Sequence, residues 1–177
     1  MKGFIRILLF ALTVRLGGAS DAQSPPLAES NKAVSVGIAS DTVDVQHVID
    51  AYHEAVLNHD GSRLASLFIP QGSMWLNVLS DDAYAGVKAS SPDAQKIRVG
   101  SYADFAKMVS SSKASFNPTH THLQQNSDGT IASVYFDFVF LIDGKETNRG
   151  SETWVLVKGS EGWRIAAITF SSNPPRS

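Results

Sequence analysis

Residues 131–170 read IASVYFDFVFLIDGKETNRGSETWVLVKGSEGWRIAAITF. Two strand-like runs, Ile131–Ile142 and Lys145–Lys158, meet at Asp143-Gly144, and a third, Trp163–Phe170, follows Gly159–Gly162. An Asp-Gly pair between β-rich segments favours a two-residue hairpin turn, because both central residues take positive φ and these two do so at low cost. The runs exceed the usual strand of about 5–6 residues. That length predicts a large curved antiparallel sheet with one face covered.

Composition bounds the rest. The chain has 177 residues, 43% hydrophobic and 18% charged, an ordinary globular mixture with room for one core. A formal net charge of −2 without a basic run gives no electrostatic footprint for nucleic acid or an anionic membrane. Cysteine is absent, which excludes disulfides, thiolate metal sites and a cysteine nucleophile. Any chemistry falls to hydroxyls, carboxylates, imidazoles or a cofactor.

Residues 1–22 have the pattern of a secretory signal: Lys2 and Arg6, an apolar Ile7–Val14, a helix break at Gly17-Gly18, and small residues at Ser20 and Ala22. A cut after Ala22 and a secreted or periplasmic location are expected, with no membrane span in the mature chain. The competing reading is a frayed terminus of a cytoplasmic protein. Residues 23–40, with Pro25-Pro26 and little periodicity, are expected to be a flexible linker. The domain is expected over 41–171, with 172–177 a loose tail.

Within the domain, Val45, Val48, Ile49, Tyr52 and Val56 fall on one helical stripe, with Asp41 or Asp44 as caps. His59-Asp60-Gly61 ends that helix, a short second one ends before Pro70, and Gly72–Leu79 reads as a strand. Ser80–Gly100 reads as a long polar connection, a rim or lid. Ser101 with Asp104 starts a third helix carrying Tyr102, Phe105, Ala106 and Val109. Pro118–Asn126 alternates as a strand with His120, His122 and Gln124 on one face.

Helices, a strand, a helix and then long antiparallel strands make an α+β order: a cone-shaped sheet wrapped around three helices. Tyr52–Asp60 with Leu67-Phe68, then Ile142-Asp143-Gly144-Lys145, Gly150-x-Glu152-x-Trp154 and Gly162-Trp163-Arg164-Ile165, resemble the NTF2-like superfamily, most of all its SnoaL-like or lumazine-binding bacterial branch. The resemblance spans roughly 43–170 and rests on turns and core positions. It implies the cone fold. It does not choose among the ketosteroid isomerase, cyclases, dehydratases and non-catalytic binding modules of that superfamily. The isomerase uses a carboxylate base with a tyrosine and a protonated aspartate as donors. Tyr52 matches the tyrosine and Glu152 falls near the aspartate, but the base position falls on Trp75–Asn77, which holds no carboxylate.

Register decides which side chains turn inward. Counting from Asp143-Gly144 pairs Phe138 with Arg149 and Phe136 with Ser151, so the Phe136/Phe138/Phe140 face carries Arg149 inside and sends Glu152 and Trp154 out. A bulge at Gly150 reverses this and buries Glu152 and Trp154. The expected pocket is Tyr52, Trp75, Phe105, Phe136, Phe138, Arg149 and Trp154, and the candidate catalytic residues are His120, His122, Tyr52 and Glu152. Each has a structural alternative: a core tyrosine or core aromatics, sheet-face histidines, and an Arg149–Glu152 pair. His120-x-His122 lacks an evident third metal ligand.

Two functions follow. One is an exported binding protein for a small apolar or aromatic molecule; the other is a cofactor-independent lyase, isomerase or cyclase with a histidine base and a Tyr52 or Glu152 acid. A third reading is a homodimer through the outer sheet face, where Tyr135 and Asp137 project. None calls for a cofactor or a metal.

Overall fold

The computed structural model describes residues 27–175, with side chains from residue 41. The expected signal at 1–22 lies outside the described residues. Among the described residues four helices, α1 (Leu27–Leu57), α2 (Gly61–Ser66), α3 (Asp81–Ser90) and α4 (Tyr102–Ser111), accompany six strands. These are β1 (Met74–Leu79), β2 (Ile97–Val99), β3 (Phe116–Ser127), β4 (Ile131–Ile142), β5 (Lys145–Gly159) and β6 (Gly162–Ser172). They form one sheet in the order β2-β1-β6-β5-β4-β3. Among these strand pairs only β1 against β6 is parallel.

The helical stripe of α1 packs as its spacing predicts: Val45, Val48, Ile49, Tyr52 and Val56 are all buried against the sheet. The helix starts earlier than expected, at Leu27, so residues 27–40 are helical where a linker was expected. Asp41 is therefore inside the helix rather than its cap. It is buried and accepts a 2.7 Å bond from Lys158 Nζ, which ties α1 to the far end of β5. Ser172 and Asn173 correct the expected tail in the same way. Ser172 is buried at the end of β6, and the Asn173 amide donates to the Arg149 carbonyl and to Asn148 Oδ1.

The polar connection 80–100 contains α3 and β2. Ser80 caps α3 by accepting from the Ala83 amide, and Asp81 and Asp82 occupy its first turn, where the helix dipole favours negative charge. The helix buries none of its residues, which is why no apolar stripe announced it. Ser101 caps α4 as expected, accepting from the amides of Ala103 and Asp104.

At the central hairpin Asp143 and Gly144 have φ of 50° and 73°, and Ile142 pairs with Lys145. The register then shifts by one residue, but at Thr147 and not at Gly150: Leu141 pairs with Glu146 and Phe140 with Asn148. Thr147 is the unpaired residue, and its hydroxyl donates to the Phe140 carbonyl. From there Phe136 faces Glu152 and Val134 faces Trp154. The glycine at 150 has a different reason, since a Cβ there would lie 2.4 Å from the Ser171 carbonyl oxygen of β6.

A second shift, at Ala166 of β6, keeps Ile165 and Ile168 both inside despite their odd spacing. A third lies in β3, where His122 and Leu123 together oppose Phe136 and His122 has φ of 55°. The buried core between α1 and the sheet includes Phe136, Trp154, Leu156, Ile165 and Ile168, all essentially without exposure.

Candidate functional site

Residues paired across strands share a face, so the register assembles the inner surface in rows. Asn77 of β1 pairs with Phe170 of β6, Phe170 with Glu152 of β5, and Glu152 with Phe136 of β4. A neighbouring row places Pro118, Phe140 and Asn148 side by side, and His120 pairs with Phe138 between the two. From the helical side Tyr52 of α1 stacks on Phe105 of α4 at 6.3 Å, and Phe105 meets Trp75 at 5.3 Å. These groups enclose a cavity of about 240 Å³ with a partly open mouth.

Glu152 is the carboxylate of this cavity. Its Oε2 accepts a 2.7 Å hydrogen bond from Trp154 Nε1, and the residue is half-buried in the cavity wall. Loss of hydration raises its pKa to about 7, which the indole bond only partly opposes. Tyr52, beside it, is pushed well above the ordinary phenol value by burial first and by the Glu152 charge second. His120 moves the other way, down to about 4, because burial disfavours the imidazolium and His53 lies close. At neutral pH the cavity therefore holds a neutral imidazole and a phenol, with a carboxyl group near its midpoint.

Two carboxamides complete the polar lining. Asn148 Oδ1 accepts from Ser172 Oγ and the Asn173 amide, so its Nδ2 is the end left to donate. Asn77 Oδ1 is buried without a hydrogen-bond partner among the described residues.

Of the residues read from the sequence, Tyr52, Trp75, Phe105, Phe138, His120 and Glu152 line this cavity. Phe136 and Trp154 do not line it. Both are fully buried behind it, Phe136 under the His120 ring at 4.2 Å and Trp154 edge-on to Tyr52 at 4.8 Å. Arg149 is a correction. The shift at Thr147 pairs it with Val139, turns it outward and leaves it ion-paired with Glu146, not Glu152.

His122 is the other correction: the β3 bulge separates it from His120 and sends it to the outer face, 78% exposed, with Nδ1 2.9 Å from Asp137 Oδ2. The two imidazoles thus lie on opposite sides of the sheet. Among the described residues no group of three His, Cys, Asp or Glu could hold a metal. Asn77, Pro118, Phe140, Asn148 and Phe170 were absent from the expected pocket. Phe140 continues the inward alternation of Phe136 and Phe138 and was legible; Asn148 required the position of the bulge.

The SnoaL-like domain family matches residues 45–175, and the chain belongs to that family. Among solved structures, it is similar to an NTF2-like protein with a cystatin-like fold from Novosphingobium aromaticivorans (TM-score 0.58, 11% identity, 86% of this chain and 94% of the other). It is also similar to a candidate dehydratase of the NTF2-like family from Streptomyces avermitilis (0.56, 16% identity, 78% and 98%). A candidate aromatic ring hydroxylase from N. aromaticivorans is comparably similar (0.56, 18% identity, 78% and 92%). At these identities the likeness is one of fold. No curated protein matches the chain at a significant level.

Proposed function

We propose that the protein binds a small, flat, mainly apolar molecule in the cone and holds an oxygen of that molecule with Tyr52 and Glu152. The observation that carries this reading is the cavity itself: aromatic walls of Trp75, Phe105, Phe138 and Phe170 around a few convergent polar groups, the usual make-up of a ligand site. Below its midpoint near 7 Glu152 carries a proton, so the carboxyl and the phenol can both donate to a carbonyl. No Lys or Arg among the described residues lines the cavity, which favours a neutral ligand over an anionic one. Export in the mature form is part of this proposal and rests on the pattern of residues 1–22. Thermal-shift titration with aromatic, steroid and polyketide classes tests the binding reading; a raised melting point is expected, and no rise in any class counts against it.

A second reading, cofactor-independent proton transfer, is favoured by one observation. Glu152 and His120 line the same cavity, and their surroundings push their proton affinities apart and past each other, the carboxyl to about 7 and the imidazole to about 4. Glu152 then serves as the acid and His120 as a neutral acceptor. Incorporation of solvent deuterium beside the carbonyl of a bound ketone, followed by NMR, is the test. Exchange that Glu152→Gln abolishes supports catalysis; none above the buffer rate leaves a binding protein.

A further inference from the structure

His120 belongs to two spaces. On one side it lines the inner cavity of about 240 Å³; on the other it lines an open groove of about 570 Å³ between α1 and β3, with Ile49, Asp50, His53 and Leu123. The inner cavity alone is smaller than the roughly 300–1,000 Å³ of ordinary ligand sites, whereas cavity and groove together fall within that range.

What separates the two spaces is weakly fastened. The His120 ring makes no hydrogen bond with another described residue and is positioned by ring contacts alone, with Phe136 at 4.2 Å, His53 at 6.0 Å and Trp154 at 6.1 Å. Two residues on, the backbone leaves the regular ladder at the bulge around His122. A rotation of His120 therefore breaks no hydrogen bond and gives up only ring packing.

We propose that cavity and groove are two halves of one elongated site, with His120 as the movable wall between them. The ligand has a flat apolar head in the cone and a tail bearing N–H or O–H donors in the groove. This rests on the cone being a ligand pocket. The tail chemistry follows from the groove, where Asp50 is the acceptor: Gln46 Nε2 engages its Oδ1 at 2.8 Å, leaving Oδ2 to a ligand. The neighbouring Glu54 is already paired with Arg63, at 2.9 Å. Ile49 and Leu123 give the passage an apolar floor between head and tail.

Two probes separate the halves: 2-naphthol, a head alone, and N-(1-naphthyl)ethylenediamine, a similar head with an amine tail. Calorimetric titration is carried out on the unaltered protein, on His120→Ala and on Asp50→Asn. Removing the wall is expected to tighten the tailed probe about tenfold more than 2-naphthol. Asp50 is exposed, so Asp50→Asn leaves the fold intact; it is expected to weaken only the tailed probe, by several fold. Equal responses of the two probes to both substitutions would overturn the inference while leaving the cone a ligand pocket. Failure of both probes to bind any form removes the pocket reading and this inference with it.

Discussion

The indole of Trp154 and the carboxyl of Glu152, two residues apart on β5 and on the same face, are joined by a 2.7 Å hydrogen bond. Trp154 is completely buried, so its ring fixes one carboxyl oxygen and leaves the other to the cavity. The bond favours the ionised form and holds the midpoint of Glu152 below where burial alone would put it. Trp154→Phe should raise that midpoint above 7, because burial is then unopposed. Infrared titration of the carboxyl band measures it; a midpoint unchanged or lowered contradicts the assignment.

Glu152 and His120 make opposite contributions to the pH dependence of stability. The Glu152 pKa is raised to about 7 from an ordinary value of 4.5, so between those values the folded state binds more protons than the unfolded and stability falls as pH rises. The His120 pKa is lowered to about 4 from 6.5, so between those values the unfolded state binds more protons and stability falls as pH drops. Across about pH 4.5–6.5 the two oppose each other. Glu152→Gln should make the protein lose stability on acidification through that window, and His120→Asn should make it gain stability. Urea unfolding at several pH values reads both slopes, and parallel curves for the two variants would contradict the account.

Leaving Thr147 unpaired reconciles the Asp143-Gly144 turn with an inward Glu152. Thr147→Ala removes the hydroxyl bond to the Phe140 carbonyl and should cost about 1 kcal/mol with the cavity intact. Deleting Thr147 removes the bulge but leaves Phe140 opposite Asn148 and Phe136 opposite Glu152 in a regular ladder, so Glu152 and Trp154 should stay inside and cooperative unfolding should persist. A deletion variant that loses its near-ultraviolet circular dichroism would contradict Thr147 as the single extra residue of the ladder.

His122 and Asp137 bond to each other on the outer face, where Ser151 Oγ also donates to Asp137 at 2.8 Å. His122→Ala is expected to leave both the melting point and binding in the cone unchanged, while His120→Ala alters binding. Equal effects of the two on binding would place His122 at the site after all.

The large features were legible because they follow from local chemistry. Asp143-Gly144 announces its turn, the stripe from Val45 to Val56 its buried face, and Ser101 its cap. The facing of β5 and β3 was not, because a single extra residue inverts every side chain beyond it and nothing in the composition of Thr147 or His122 marks the position. The glycine at 150, the obvious suspect, answers instead to the close approach of Ser171. Helix α3 escaped notice for a different reason. It depends on its cap and acidic first turn rather than on burial, and an apolar stripe is what periodicity detects.

The most direct measurement is calorimetric titration of 2-naphthol into the protein and into Phe138→Trp, which fills the cavity from its sheet wall. Saturable one-to-one binding that the larger side chain abolishes, with the fold retained, is the predicted result. Equal heats in both forms, or no binding in the unaltered protein, would contradict a ligand pocket between Tyr52 and Glu152.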